Sequence, residues 1–192
     1  YDTVEELLEP EVKFVQKVLE KFEEWNMDPN NVVLWDIDDT LGKNVTVSRT
    51  QTNWHFRPAM LLLMPYLREK YPNIKHGFIT TRSVEGTKGV IEDAKKLLND
   101  RDFFLEKFTY SSRNTNICEE NRKRYHTMRE GLPEEMRKKL SLNDGTIAKH
   151  MLYEELTKQN PNLKFRIIDD FSVALLVGES GLHVCDMMSR IF

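Results

Sequence analysis

Asp36 and Asp38 stand two residues apart in the run Asp36-Ile37-Asp38-Asp39-Thr40-Leu41, directly after the apolar segment Val32-Val33-Leu34-Trp35. If that segment is a buried strand, its alternation points both carboxylates to one side, at the strand's carboxyl end. Two like charges in one small site repel. The arrangement becomes favourable with a divalent cation between them, or with one carboxyl kept protonated for acid–base work. Other reactive groups recur where other apolar runs end: Thr80-Thr81-Arg82 after Ile74 to Ile79, and Asp169-Asp170 after Phe165 to Ile168, with Lys149 in the helical segment ahead of the latter. Together they supply what phosphoryl transfer needs: a carboxylate nucleophile, an acid/base, a hydroxyl and an ammonium for phosphate oxygens, and distal carboxylates for a metal.

The elements that must position these groups follow from periodicity. Val12, Val15, Val18, Leu19, Phe22 and Trp25 recur at helical spacing, which predicts an amphipathic N-terminal helix over about 10–26. A polar loop is expected from Gly42 to about Arg57, forming a flap that carries Trp54, His55 and Phe56. A helix opened by Pro58 and closed by Tyr71-Pro72-Asn73 follows. Ile74–Thr80 reads as a second strand, Val84 to about Asn99 as a helix, Phe108–Ser111 as a short third strand, and Ile147–Lys158 as a helix that Lys149 opens. Phe165–Ile168 reads as a fourth strand and Leu182–Cys185 as a fifth. Strands alternating with helices imply an α/β fold: a doubly wound three-layer sandwich around a parallel sheet of about five strands, built as a single domain over residues 1–192. The polar stretch from Arg113 to Leu142 looks like a small insertion, about 113–142, on that framework.

Four motifs in order, DIDDTL, the FIT ending at Thr80, Lys149 and the acidic pair IIDD at Asp169-Asp170, resemble those of the haloacid dehalogenase-like (HAD) phosphatase superfamily. The resemblance runs from about Val32 to Cys185 and implies a Rossmann-like HAD fold of the capless or small-cap type. It implies that Asp36 attacks phosphorus to form an aspartyl-phosphate, and that Asp38 protonates the leaving oxygen and then activates water. Thr80 and Lys149 would bind the phosphoryl oxygens, with Thr81 the fallback for Thr80 and Arg82 assisting or capping the next helix. Asp36, the backbone carbonyl of Asp38, and Asp169 helped by Asp170 would hold Mg²⁺. An aspartate at position 38 favours phosphoester hydrolysis over carbon–halogen cleavage.

With Lys+Arg 28 against Asp+Glu 31, a formal net charge of -3, there is no global basic field to advertise a nucleic-acid or membrane partner. Composition, at 40% hydrophobic and 31% charged, suits one globular core. No apolar stretch reaches the length of a membrane span, and Cys118 and Cys185 form no disulfide framework or zinc pattern, so a reducing, cytoplasmic setting is expected. A leader or further domain beyond either end is left open, as is the oligomeric state. Cys118 to Arg124 has the C-x5-R spacing of cysteine phosphatases, but two glutamates and no glycine oppose a phosphate-wrapping loop. His76 reads as structural. The run Arg122-Lys123-Arg124 reads as a solvated helix face more readily than as a patch for acidic substrates. The space between Gly42 and Gly77 leaves no room for a large cap, so the expected substrate is a macromolecular phosphomonoester such as a phosphotyrosine or phosphoserine protein, against which Trp54 or Phe56 would stack. The alternatives are a small-metabolite or nucleotide phosphatase and, more remotely, a non-catalytic binding module.

Overall fold

The computed structural model describes residues 8–26, 28–98 and 102–184. Five parallel strands, β1 (Asn31–Trp35), β4 (Lys75–Thr80), β5 (Phe104–Ser111), β6 (Lys164–Asp169) and β7 (Gly181–His183), form one sheet in the order β5-β4-β1-β6-β7. Strand order reverses at β1, with β4 on one side and β6 on the other, and this reversal opens a crevice at the carboxyl ends. The fold is the expected α/β sandwich.

Alternation along β1 divides the core into two layers. Val33 and Trp35 pack with Phe14, Val18 and Phe22 of α1 (Glu9–Glu24) and Met60 and Leu63 of α2 (Pro58–Lys70); Val90 and Ile91 of α3 (Val84–Leu98) join the same layer. Val32 and Leu34 face the other way, against Ile167, Phe165 and Leu156 of α6 (Asp144–Gln159). Asp36 continues the even-numbered face by period two, which aims it at α6.

Several expectations need correction. Gly42 to Phe56 is an antiparallel hairpin rather than a polar loop, with β2 (Gly42–Ser48) and β3 (Gln51–Phe56) joined at Arg49-Thr50. Gly42 is obligatory at its base, because a Cβ there would meet the His55 carbonyl. β5 begins at Phe104, earlier than its polar residues Glu106 and Lys107 suggest, because it is an edge strand with one side open to water. Helix α2 opens at Pro58 and closes at Lys70 before Tyr71, as expected, with Pro65 inside it. Lys149 lies in the second turn of α6 rather than opening it, since the true cap is Asn143, whose Oδ1 accepts from the Thr146 amide at 2.8 Å. Stretch 113–142 holds α4 (Glu119–Glu130) and α5 (Glu134–Lys139). Cys185 and Asn99, named above as strand and helix ends, lie outside the described residues. The short helix α7 (Val173–Leu176) links β6 to β7. No helix among the described residues is long and apolar enough to cross a membrane.

Candidate active site

β1 ends at Trp35 and the chain turns at once. The amides of Leu41 and Gly42 both return to the Ile37 carbonyl, and Asp39 takes a left-handed φ of 63°. This turn separates the two aspartates that strand alternation would have left side by side. Asp36 stays under the sheet edge, 5% exposed, with its amide bonded to the Ile168 carbonyl of β6 at 2.9 Å. Asp38 swings outward, where Arg82 forks onto its carboxylate, Nε to Oδ2 at 2.8 Å and a terminal nitrogen to Oδ1 at 2.6 Å.

Opposite Asp36, the Lys149 Nζ donates to Asp36 Oδ1 at 2.7 Å and to Asp169 Oδ2 at 2.8 Å. Lys149 and Asp169 are both almost fully buried. The second oxygens are also held: Thr40 Oγ1 donates to Asp36 Oδ2 at 3.0 Å, and Asp169 Oδ1 accepts from the Phe171 amide at 2.9 Å. Thr40 also accepts from the Asp170 amide at 3.2 Å, which stitches the loop after β1 to the loop after β6. Carboxylate oxygens of Asp36, Asp169 and Asp170 lie within 4.8 Å of one another.

Three carboxylates share one ammonium here, and the protonation equilibria record the imbalance. Burial raises the Asp170 carboxyl to about 9, with the hydrogen bond and charge of Asp36 adding to it. Burial likewise lifts Asp169 to about 7, Asp36 adding and Lys149 opposing. For Lys149 burial works against the charge, but Asp169 and Asp36 outweigh it and hold the ammonium protonated far above the ordinary lysine range. A dry site with surplus negative charge and only oxygen donors is suited to a small hard divalent cation. Asp36, Asp169 and Asp170 are the side chains able to hold one.

The remaining predicted residues fall around this cluster. Thr80 is buried at the end of β4, its Oγ1 accepting from the Arg82 amide at 3.0 Å and its carbonyl accepting from the Ser112 amide at 2.9 Å. Thr81 is exposed and lines a cavity of about 390 Å³ together with Ser112, Arg113, Asn116, Asp144 and Gly145. Arg82 neither caps α3 nor stands free, because Asp38 occupies it. Trp54 and Phe56 pack edge to face on each other, their ring centres 4.7 Å apart, and line a different cavity with Asp93, Lys96 and Leu97 of α3. That position offers no platform beside the acidic cluster. His76 is structural, accepting from the Trp35 indole at 3.1 Å and stacked on Phe103. Cys118 bonds to Asn121 at the start of α4 and Arg124 to Glu154, so the C-x5-R spacing forms no phosphate loop.

Two contributors were not singled out from sequence. Thr40 had a signal, four residues past Asp36 in the same motif. Phe171, whose ring lies 5.2 Å from Lys149 Nζ, had none beyond following the acidic pair. No protein-family model, curated protein or solved structure matches this chain.

Proposed function

We propose that the chain is a Mg²⁺-dependent phosphatase that hydrolyses phosphomonoesters through an aspartyl-phosphate on Asp36. The observation that carries this reading is the meeting of Asp36, Lys149, Asp169 and Asp170, drawn from two strand ends and one helix, at the crevice where strand order reverses. One lysine cannot neutralise three neighbouring carboxylates, and the residue geometry leaves Asp36 oriented by contacts on both oxygens.

Oriented in this way, Asp36 attacks phosphorus as the ester P–O bond breaks, and the departing oxygen takes a proton from Asp38. Asp38 must first leave the Arg82 fork, and an incoming phosphate dianion competes for that guanidinium. The Asp38 carboxylate then removes a proton from water as the water attacks phosphorus. The bond to Asp36 breaks, releasing inorganic phosphate and restoring both carboxyls. Lys149 holds Asp36 in place and, with the Thr80 hydroxyl, offers donors to the phosphoryl oxygens. The chemistry a Mg²⁺ ion supplies, when held by Asp36, Asp169, Asp170 and the Asp38 carbonyl, is positive charge that offsets repulsion between carboxylate and phosphate.

Access favours a large substrate. Helix α4 spends its polar contacts on the flank of α6, Arg124 and Tyr125 on Glu154, Tyr125 on His150 and Arg122 on Asp144; none of these reaches over the acidic cluster. A phosphoprotein is the carrier suited by a chain with no large cap among its described residues. Asp36→Asn is expected to lower Mg²⁺-dependent phosphate release by about a thousandfold or more while leaving the circular-dichroism spectrum intact. Undiminished release from that variant would refute the nucleophile and, with it, the reading.

A further inference from the structure

Beside the acidic cluster lies the cavity of about 390 Å³ whose walls are chain neighbours of the residues proposed to grip phosphate. Thr81 follows Thr80, Ser112 bonds to the Thr80 carbonyl, and Gly145 and Ala148 precede Lys149 on α6. The cavity walls thus stand one residue along the chain from Thr80 and from Lys149, where a leaving group attached to a phosphate held by those two would enter it. Polar residue types dominate its walls, Thr81, Ser112, Arg113, Thr115, Asn116 and Asp144 against Ile117 and Ala148, although much of the surface they present is carbon. No aromatic ring lines it, so nothing there stacks on a base or a tyrosyl ring.

Charge in the cavity is one-sided. Asp144, its only acid, is neutralised by Arg122, which forks onto both carboxylate oxygens at 2.9 and 3.1 Å. The first turn of the 16-residue α6 brings the positive end of a helix dipole to the same wall. Of the arginines nearby, Arg82 is taken by Asp38, Arg122 by Asp144 and Glu119, and Arg124 by Glu154. Among the described residues the Arg113 guanidinium has no hydrogen bond or ion pair, and it stands on the cavity wall. Arg49 is likewise without a partner, but it sits in the distant β2–β3 turn.

We propose that this cavity is the leaving-group subsite and that Arg113 recognises a second anionic group, a carboxylate or another phosphate, carried by the substrate a few bonds from the phosphomonoester. This rests on the phosphatase reading and narrows it. For a phosphoprotein it means an acidic side chain next to the phosphorylated residue.

The test is a calorimetric comparison of matched ligands on the Asp36→Asn protein with Mg²⁺, with phosphate release by the unmutated protein followed in parallel. One pair is a phosphoserine peptide with aspartate or asparagine at the next position; the other is a nucleoside 3′,5′-bisphosphate against the 3′-monophosphate. One charge-assisted contact corresponds to a preference of roughly tenfold for the doubly anionic member. That preference is expected to vanish in Arg113→Ala, to return in part in Arg113→Lys, and to persist in Arg49→Ala. The pair that shows it identifies the carrier. Equal affinities within both pairs, or a preference that survives Arg113→Ala, would overturn the subsite. A preference dependent on Arg113 in a protein that releases no phosphate would keep the subsite and refute the phosphatase. Phosphate release without any preference would do the reverse.

Discussion

Two groups of charges are buried in this protein, and they differ in their balance. Beneath the sheet, Glu11 of α1 faces Arg57 at 3.6 Å, one acid to one base, with Glu11 also accepting from the Ala59 amide and Arg57 lying over the Phe14 ring at 3.8 Å. At the sheet's edge, Lys149 bridges Asp36 and Asp169, and a third carboxylate, Asp170, lies beside them without touching it. Glu11, Arg57, Asp36, Lys149 and Asp169 are all buried, so both sets bear a desolvation cost. In the first pair the opposite charges offset each other, and the contact clamps α1 onto the residue that precedes α2. The unbalanced cluster retains negative charge, and a fold keeps such an arrangement where a ligand supplies what is lacking.

The contrast is sharpest in Lys149→Met. Removing the base that bridges Asp36 and Asp169 should cost about 4 kcal/mol in urea-induced unfolding without metal, and millimolar Mg²⁺ should recover a good part of it. A variant unaffected by Mg²⁺ would break the distinction between the two regions. Arg57→Met strands Glu11 and should cost about 3 kcal/mol, with no repair by Mg²⁺, while Glu11→Leu combined with Arg57→Met should lose less than the single change. If Mg²⁺ rescued Arg57→Met as well, the ion would be acting on the whole fold rather than on the cluster.

A pH effect follows from the same cluster. Asp169 and Asp170 have folded-state values raised above the ordinary carboxylate range, so the metal-free folded protein binds more protons than the unfolded chain from about pH 4 upward. Their contribution is complete below that range and is lost as pH rises through about 7 and about 9. The slope is at most about 1.4 kcal/mol per pH unit for each proton. In chelator, the melting temperature should therefore decline between pH 6 and 9 relative to the same protein in saturating Mg²⁺, which favours the ionised carboxylates. Parallel curves in the two buffers would remove the surplus charge from the account.

Legibility from sequence followed how local each signal was. β1 is fully buried and reads as an apolar run, and β4 and β6 carry the apolar pairs Phe78-Ile79 and Ile167-Ile168 just before their reactive ends, so their limits were close. The β2–β3 hairpin was not legible, because its residues are largely polar and its Arg49-Thr50 connection lacks the glycine or asparagine that usually marks such a turn. Asp36, Asp38, Thr80, Asp169 and Asp170 could each be named, because reactive residues at strand ends stand out against apolar neighbours, and Lys149 was named for its place in the helical segment ahead of Asp169. The Arg82 fork on Asp38 could not, since it depends on a turn at Ile37 that strand alternation does not foresee.

Composition and periodicity alone determined that this chain is an α/β sandwich with acidic and basic groups at the ends of its strands, because burial and hydrogen bonding act on every short segment by itself. Only the tertiary structure decided which of those groups meet. Strand order and the turn after β1 set distances between residues more than a hundred positions apart. They brought Asp36 to Lys149 and Asp169, sent Asp38 to Arg82, and left Arg113 facing a cavity without a partner. Charges act through space, and no local pattern in the chain specifies that geometry.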